Sequence, residues 1–131
     1  MIIGIGTDIL KKSRIKNLLQ PHTHQSQNLL KFPKKILSSE EFDIYNKLTE
    51  FDKKADYLAV RWSCKESLYK ALYPLYKPTW KEVSILKNQE KPFIRWQTDR
   101  FEVEKGLEYH LSVSHDGDFV VSYVIVEKRA N

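Results

Sequence analysis

The order of elements predicts an α+β domain in which helices pack against a mostly antiparallel sheet. Three observations carry that expectation: strand-like alternation near the start, helical periodicity with capping signals through the middle, and short strands with turns from Val83 onward. A chain of 131 residues is near the usual size of one domain and can bury one modest core, so residues 1–131 are read as a single unit. No repeat, low-complexity tract or linker interrupts it.

From Ile2 to Leu10, Ile3, Ile5, Thr7 and Ile9 fall on one side and Gly4, Gly6 and Asp8 on the other. Glycine weakens a strand unless something lies close to it, so the bare face is expected to meet a ligand, another segment or a packed helix, with Asp8 at its end. Ser13 is a candidate cap for a short helix carrying Ile15, Leu18 and Leu19 and ending before Pro21, with a polar loop over His22 to Asn28. Ser38-Ser39-Glu40-Glu41 offers a capping box for a helix with Phe42, Ile44, Tyr45 and Leu48. A longer helix is expected from Asp52 to about Tyr73, stopped by Pro74 and Pro78. Strands follow at Val83 to Leu86 and Phe93 to Trp96, flanking Asn88-Gln89. Tyr109 to Ser114 and Phe119 to Val126 then flank Asp116-Gly117, a hairpin signal.

The formal charge of +5 and pI near 9.2 imply attraction to something negative without saying what. The lysines come in scattered pairs (Lys11-Lys12, Lys34-Lys35, Lys53-Lys54), not in the block that marks a nucleic-acid tail, and a solvated surface explains each. A lone cysteine, Cys64, allows no internal disulfide and suits a reducing compartment as a structural thiol. No apolar run reaches the roughly 20 residues of a membrane span, so the chain is expected to be soluble. Met1-Ile2-Ile3-Gly4 reads as the first strand, with no signal or transit peptide before it.

In the long helix, Leu58, Trp62, Tyr69 and Leu72 form one apolar stripe at about 100° per residue, with Lys65 in its middle and Glu66 and Lys70 at its edge. A charge among buried positions costs several kcal/mol, as an order of magnitude, unless it is paired or meets a ligand. Lys65 therefore either snorkels past the rings or belongs to a cleft where a carboxylate holds a metal and lysines face phosphate. Mg²⁺ takes one or two carboxylates with substrate phosphates and waters, a demand that Asp8 and Glu66 together could meet. At the last hairpin Leu111 and Val113 point one way and Ser112 and Ser114 the other, with His115 at the strand end, as a phosphate contact or a plain turn residue. His22 and His24 with Cys64 lack zinc-site spacing, Ser112 to His115 is no nucleophile elbow, and Gly4-x-Gly6 is no dinucleotide fingerprint.

These clusters resemble, in order and content, the 4′-phosphopantetheinyl transferases of the short, holo-synthase type. Ile3-Gly4-Ile5-Gly6-Thr7-Asp8-Ile9 with Arg14-Ile15 is similar to the family's opening strand and helix. Arg61-Trp62-Ser63-Cys64-Lys65-Glu66 through Lys70-Ala71-Leu72 is similar to its central motif, and Leu111-Ser112-Val113-Ser114-His115-Asp116 to its Ser-x-Ser-His strand end. Ile36 to Glu41 resembles the family's Leu-Thr-x-x-Glu segment. The chain differs in having Lys11 and Lys12 where acidic and apolar residues are common, and Tyr73-Pro74 where a glycine commonly follows Lys-Ala-Leu.

The resemblance implies the transferase fold, with Asp8 and Glu66 holding Mg²⁺ on the diphosphate of coenzyme A. It also implies attack by a carrier-protein serine and release of adenosine 3′,5′-bisphosphate. Lys70, supported by Lys65, would neutralise the diphosphate, Ser114 and His115 would hold phosphate, and Arg61 would meet the 3′-phosphate. Glu66 or a metal-held water would be the base. An acidic acyl carrier protein, from fatty-acid synthesis or elsewhere, would dock on Arg14 with Lys11 and Lys12. Kinship further implies a homotrimer with coenzyme A between subunits, cytoplasmic or alternatively mitochondrial, with neither nucleic acid nor membrane as partner. The rival readings are a coenzyme A or nucleotide binding module that has lost catalysis, and a basic nucleic-acid binder stacking bases on Trp80 and Trp96.

Overall fold

A computed structural model describes residues 1–20, 28–97 and 106–130. Its architecture is α+β. The first strand, β1 (Ile2–Lys11), is followed by helices α1 (Lys12–Leu19), α2 (Asn28–Ile36), α3 (Ser39–Lys47) and α4 (Phe51–Leu72). A short 3₁₀ turn (Trp80–Glu82) then leads to β2 (Val83–Asn88), β3 (Lys91–Trp96), β4 (Leu107–Asp116) and β5 (Phe119–Lys128). Among the described residues the last four strands form two separate antiparallel hairpins rather than one continuous meander, and β1 joins the second to give the order β1-β5-β4. The reversals lie one residue later than the sequence suggests. Gln89 and Glu90 at φ 48° and 66°, and Gly117 at φ 56°, take up the left-handed turn positions.

The two glycines of β1 decide how the layers meet. The strand turns Gly4, Gly6, Asp8 and Leu10 inward and leaves Ile5 and Ile9 more than 60% exposed. Helix packing thus explains the glycines, because a Cβ on Gly4 would lie 1.8 Å from the Ala71 carbonyl oxygen and one on Gly6 1.8 Å from that of Ser67. Alongside, Ser122 of β5 meets the hydroxyls of Ser63 at 2.8 Å and Ser67 at 2.5 Å, so the small residues of α4 face the sheet with their polar atoms satisfied. The core continues through Leu10, Leu111, Val120 and Val124 on the sheet and Leu68, Leu72 and Cys64 on the helix. Burial pushes the Cys64 thiol up to about 12, leaving it protonated and a packing residue.

Helix ends show where long-range contacts replace local ones. Ser13 does not cap α1; Lys11 occupies that position without a side-chain cap. The Ser13 amide and hydroxyl instead donate to the Asp118 carboxylate at 3.1 and 2.7 Å, which ties the first turn of α1 to the β4–β5 reversal. Asn28 begins α2 rather than ending a loop, and residues 22–27 lie outside the described residues. The capping box of α3 forms as expected, Ser38 with Glu41.

Glu41 does more than cap. Fully buried, it accepts from the Ser38 amide at 2.9 Å, the Ile85 amide at 2.8 Å and the Lys65 ammonium at 2.5 Å. Lys65 also donates to the carbonyls of Ile36 and Trp80, each at 2.9 Å. It is neither a snorkelling residue nor free for a ligand, since its three hydrogens are all taken. Burial lowers the Lys65 pKa and the Glu41 carboxylate opposes that shift. No helix among the described residues is long and apolar enough to cross a membrane.

Glu41→Gln leaves the Lys65 charge buried without its counter-ion and is expected to cost about 3–5 kcal/mol in urea unfolding. Glu41→Met with Lys65→Met should recover much of that loss. A single substitution without measurable effect on the unfolding midpoint contradicts this view of the pair.

Candidate active site

Asp8 reaches the site from the end of the glycine face of β1, and Glu66 and Lys70 from one side of α4, one turn apart. Because α4 rests directly on the β1 backbone, the Lys70 ammonium donates to the Thr7 carbonyl at 3.0 Å and lies 3.6 Å from Asp8 Oδ1. The Asp8 side chain is 13% exposed, and its Oδ2 is buried with no hydrogen-bond partner. Desolvation and the Asp8 charge together raise the Glu66 pKa, against the pull of Lys70. Two carboxylates that repel, one with an unanswered oxygen, form a donor set suited to a hard dication.

Beside Glu66 opens a cleft of about 410 Å³ between Tyr69 on α4 and residues 77–80, which lead into the 3₁₀ turn. That size suits a cofactor-sized ligand. Lys77 and Thr79 on its far wall escaped the sequence reading, which weighed Trp80 only for base stacking; the signal that could have found them was the Pro74 and Pro78 pair, which fixes the backbone leading out of α4.

The remaining sequence candidates separate by face. Lys65 borders the cleft, but its ammonium is committed to Glu41, Ile36 and Trp80, so the expected phosphate contact has no donor left. Arg61, one turn earlier on that same side, is 6% exposed, donates to the Ile85 carbonyl at 3.2 Å and lies 3.7 Å over the Tyr57 ring. It is thereby held on β2, on the Lys65 side of α4 rather than the Glu66 side. Across the ladder Asp8 pairs with Ser122 and Ser122 with Val113, which puts β4 two strands, about 10 Å, from β1. Ser114 points to the outer face of the sheet, away from Asp8, while His115 lies on the inner side at the exposed strand end. Arg14 and Leu18 are exposed on α1, whereas Lys12 is drawn to Asp56 at 3.7 Å and Lys11 lies over Phe119. Trp80 and Trp96 are taken up in ring contacts with Trp62 and Tyr109.

The family model of the 4′-phosphopantetheinyl transferase superfamily matches residues 4–124. The chain belongs to this superfamily. It is 32% identical over 131 residues to a holo-[acyl-carrier-protein] synthase of Staphylococcus carnosus, covering 98% of this chain and 99% of that one. To a synthase of that name from Staphylococcus epidermidis it is 34% identical over 132 residues, with coverage of 98% and 99%. Among solved structures, a holo-synthase of Plasmodium yoelii superimposes with a TM-score of 0.80 at 25% identity, covering 100% of this chain and 98% of that one. One from Neisseria meningitidis gives 0.79 at 28% identity, covering 98% and 100%. Full-length agreement of this kind is with the short, holo-synthase type, so this superfamily member is a transferase whose motif residues Asp8, Glu66 and Lys70 are the three that converge.

The raised Glu66 pKa carries a sign that can be measured. Folded protein holds the Glu66 proton at higher pH than the unfolded chain does. This contribution to stability is therefore full below the ordinary value of 4.5 and is lost as pH rises through the higher folded value. Glu66→Gln should raise the melting temperature of metal-free protein at neutral pH, by roughly 1–4 °C. A lower melting temperature for the variant would show that Glu66 is not held against Asp8.

Proposed function

We propose that the chain transfers 4′-phosphopantetheine from coenzyme A to a serine of an apo acyl carrier protein, with Mg²⁺, releasing adenosine 3′,5′-bisphosphate. The observation that carries the proposal is the meeting of Asp8 and Glu66, with one Asp8 oxygen unanswered, at the mouth of a cofactor-sized cleft. When bound, Mg²⁺ supplies Lewis-acid charge to the diphosphate.

Asp8 and Glu66 would hold the ion through their carboxylates. The Lys70 side chain, 51% exposed, exchanges its contacts with Thr7 and Asp8 for diphosphate oxygens and offsets the charge that builds as the phosphate bond breaks. The Glu66 carboxylate, or a water held by the ion, would take the serine proton. Tyr69 and residues 77–80, which line the cleft, would flank the pantetheine side.

Ser114 belongs to this reading through a second subunit. Its outer sheet face carries exposed Ile5, Ile9, Phe119 and Tyr123, an apolar patch that favours burial against another copy. A homotrimer with coenzyme A in the clefts between subunits would cover that patch and bring Ser114 and His115 of one subunit toward the carboxylates of the next. Arg14, with Leu18 beside it, offers the acidic carrier both charge and an apolar contact.

Incubation with coenzyme A, Mg²⁺ and apo carrier should add the phosphopantetheine mass to the carrier in intact-mass spectra. Glu66→Gln should abolish the addition and Lys70→Met should lower kcat about 10²–10³-fold, the scale of one lost charge-stabilising donor. An unmodified carrier with wild-type protein, or near-normal rates in both variants, overturns the proposal. The carrier KM should rise with salt, and Arg14→Glu should raise it further while leaving kcat near its normal value. Sedimentation should give a trimer, and Ile5→Glu should give monomers with little activity; an active monomer would remove the second subunit from the site.

A further inference from the structure

Away from the Asp8 and Glu66 pair, the outer face of the sheet holds another group of metal-ligating side chains. Glu108 and His110 are two residues apart on β4 and so share a face, and Glu127 of β5 stands directly across the ladder from Glu108. One ligand atom from each of the three comes within 4.8 Å of the others. His110 Nε2 and Glu127 Oε2 are 3.0 Å apart, close to the roughly 3.3 Å edge of a tetrahedron with the usual zinc bond lengths. Glu108 and His110 are exposed and Glu127 is half-buried; Glu108 and His110 stand on the edge strand, beside the patch of Ile5, Ile9, Phe119 and Tyr123 that a second subunit would cover, so an ion can enter along that edge.

Two carboxylates placed directly opposite on neighbouring strands repel. His110 lies between them in function, since a neutral imidazole adds a nitrogen ligand and leaves the carboxylates for a cation to neutralise. Nitrogen with two carboxylate oxygens and an open position for water is a borderline transition-metal set, distinct from the all-oxygen set at Asp8 and Glu66. The ladder also carries the site without backbone movement, because all three residues belong to regular, paired positions of β4 and β5.

We propose that Glu108, His110 and Glu127 form a second cation site, separate from the transfer centre, that takes an ion of the Zn²⁺ class. Bound there, the ion fastens the first residues of β4 to the last of β5. At this end of the sheet Met1 also closes the structure, its ammonium donating to the Lys128 carbonyl and its carbonyl accepting from the Lys128 amide.

Titration of the full chain with ZnCl₂ in excess MgCl₂, which keeps the Asp8 and Glu66 pair occupied, tests the proposal by calorimetry and by histidine resonances in NMR. One zinc per chain is expected, with a shift of the His110 imidazole signals and a higher melting temperature. His110→Ala and Glu127→Gln should each weaken zinc binding at least tenfold, with circular dichroism confirming that both variants fold. Substitution of both His22 and His24 by alanine should leave binding unchanged. No zinc uptake under these conditions overturns the proposal, reducing the cluster to a His110–Glu127 ion pair. Undiminished uptake by His110→Ala, or loss of uptake in the His22/His24 variant, overturns it equally, by placing the ion elsewhere.

Discussion

The buried pair of Lys65 and Glu41 is the constraint on which the remaining geometry depends. An ion pair in a protein interior contributes little net stability, because desolvation offsets most of its attraction. What it contributes here is orientation. Glu41 gathers the start of α3, the β2 backbone and α4 around one carboxylate, and Lys65 adds the carbonyls that end α2 and begin the far wall of the cleft. With Lys65 anchored, the next residue cannot rotate freely, and Glu66 is turned about 100° away toward Asp8. The Trp80 carbonyl, held by that same ammonium, sets the position of the cleft wall opposite Tyr69.

Local patterns made much of this fold readable. The capping box at Ser38 and Glu41, the apolar period of α4, the alternation of β1 and the glycine at the last reversal are interactions within a few residues, and each left a trace in the order of side chains. Contacts between distant segments left less. Ser13 looked like a helix cap because serine is a common one, but the carboxylate that meets its amide comes from Asp118, more than a hundred residues on. Helix α2 contains Pro33, which argues locally against a helix, and its Phe32 packs on Trp62, which in turn meets Trp80, both in other parts of the chain. The separation of the strands into two hairpins, with β1 beside β5, is likewise a matter of tertiary pairing.

At the site, the order of residues singled out candidates of which the structure brings some together and holds others apart. Asp8, Glu66 and Lys70 converge, and helical geometry explains why Lys65 and Arg61 do not join them. Residues 61 and 65 share one face of α4, and 66 and 70 share another, so one motif serves two purposes on two sides of a helix. The unpartnered charge within the apolar stripe was visible; its counter-ion on α3 was not, although Glu41 stood in a recognisable segment. Period-two logic also accounts for Ser114, which the strand turns to the outer surface with Ile9 and Val121.

Gly4 and Gly6 bring the strand and helix backbones within van der Waals distance, with no side chain between them. The absent methyl groups act as a spacer of zero thickness: Asp8 projects from one side of that seam and Glu66 from the other, so the gap between their carboxylates is inherited from main-chain contact. On the proposed reading, ion affinity would therefore be a property of how closely two backbones stack, and any change that pries the layers apart would be felt first as a looser grip on the cation.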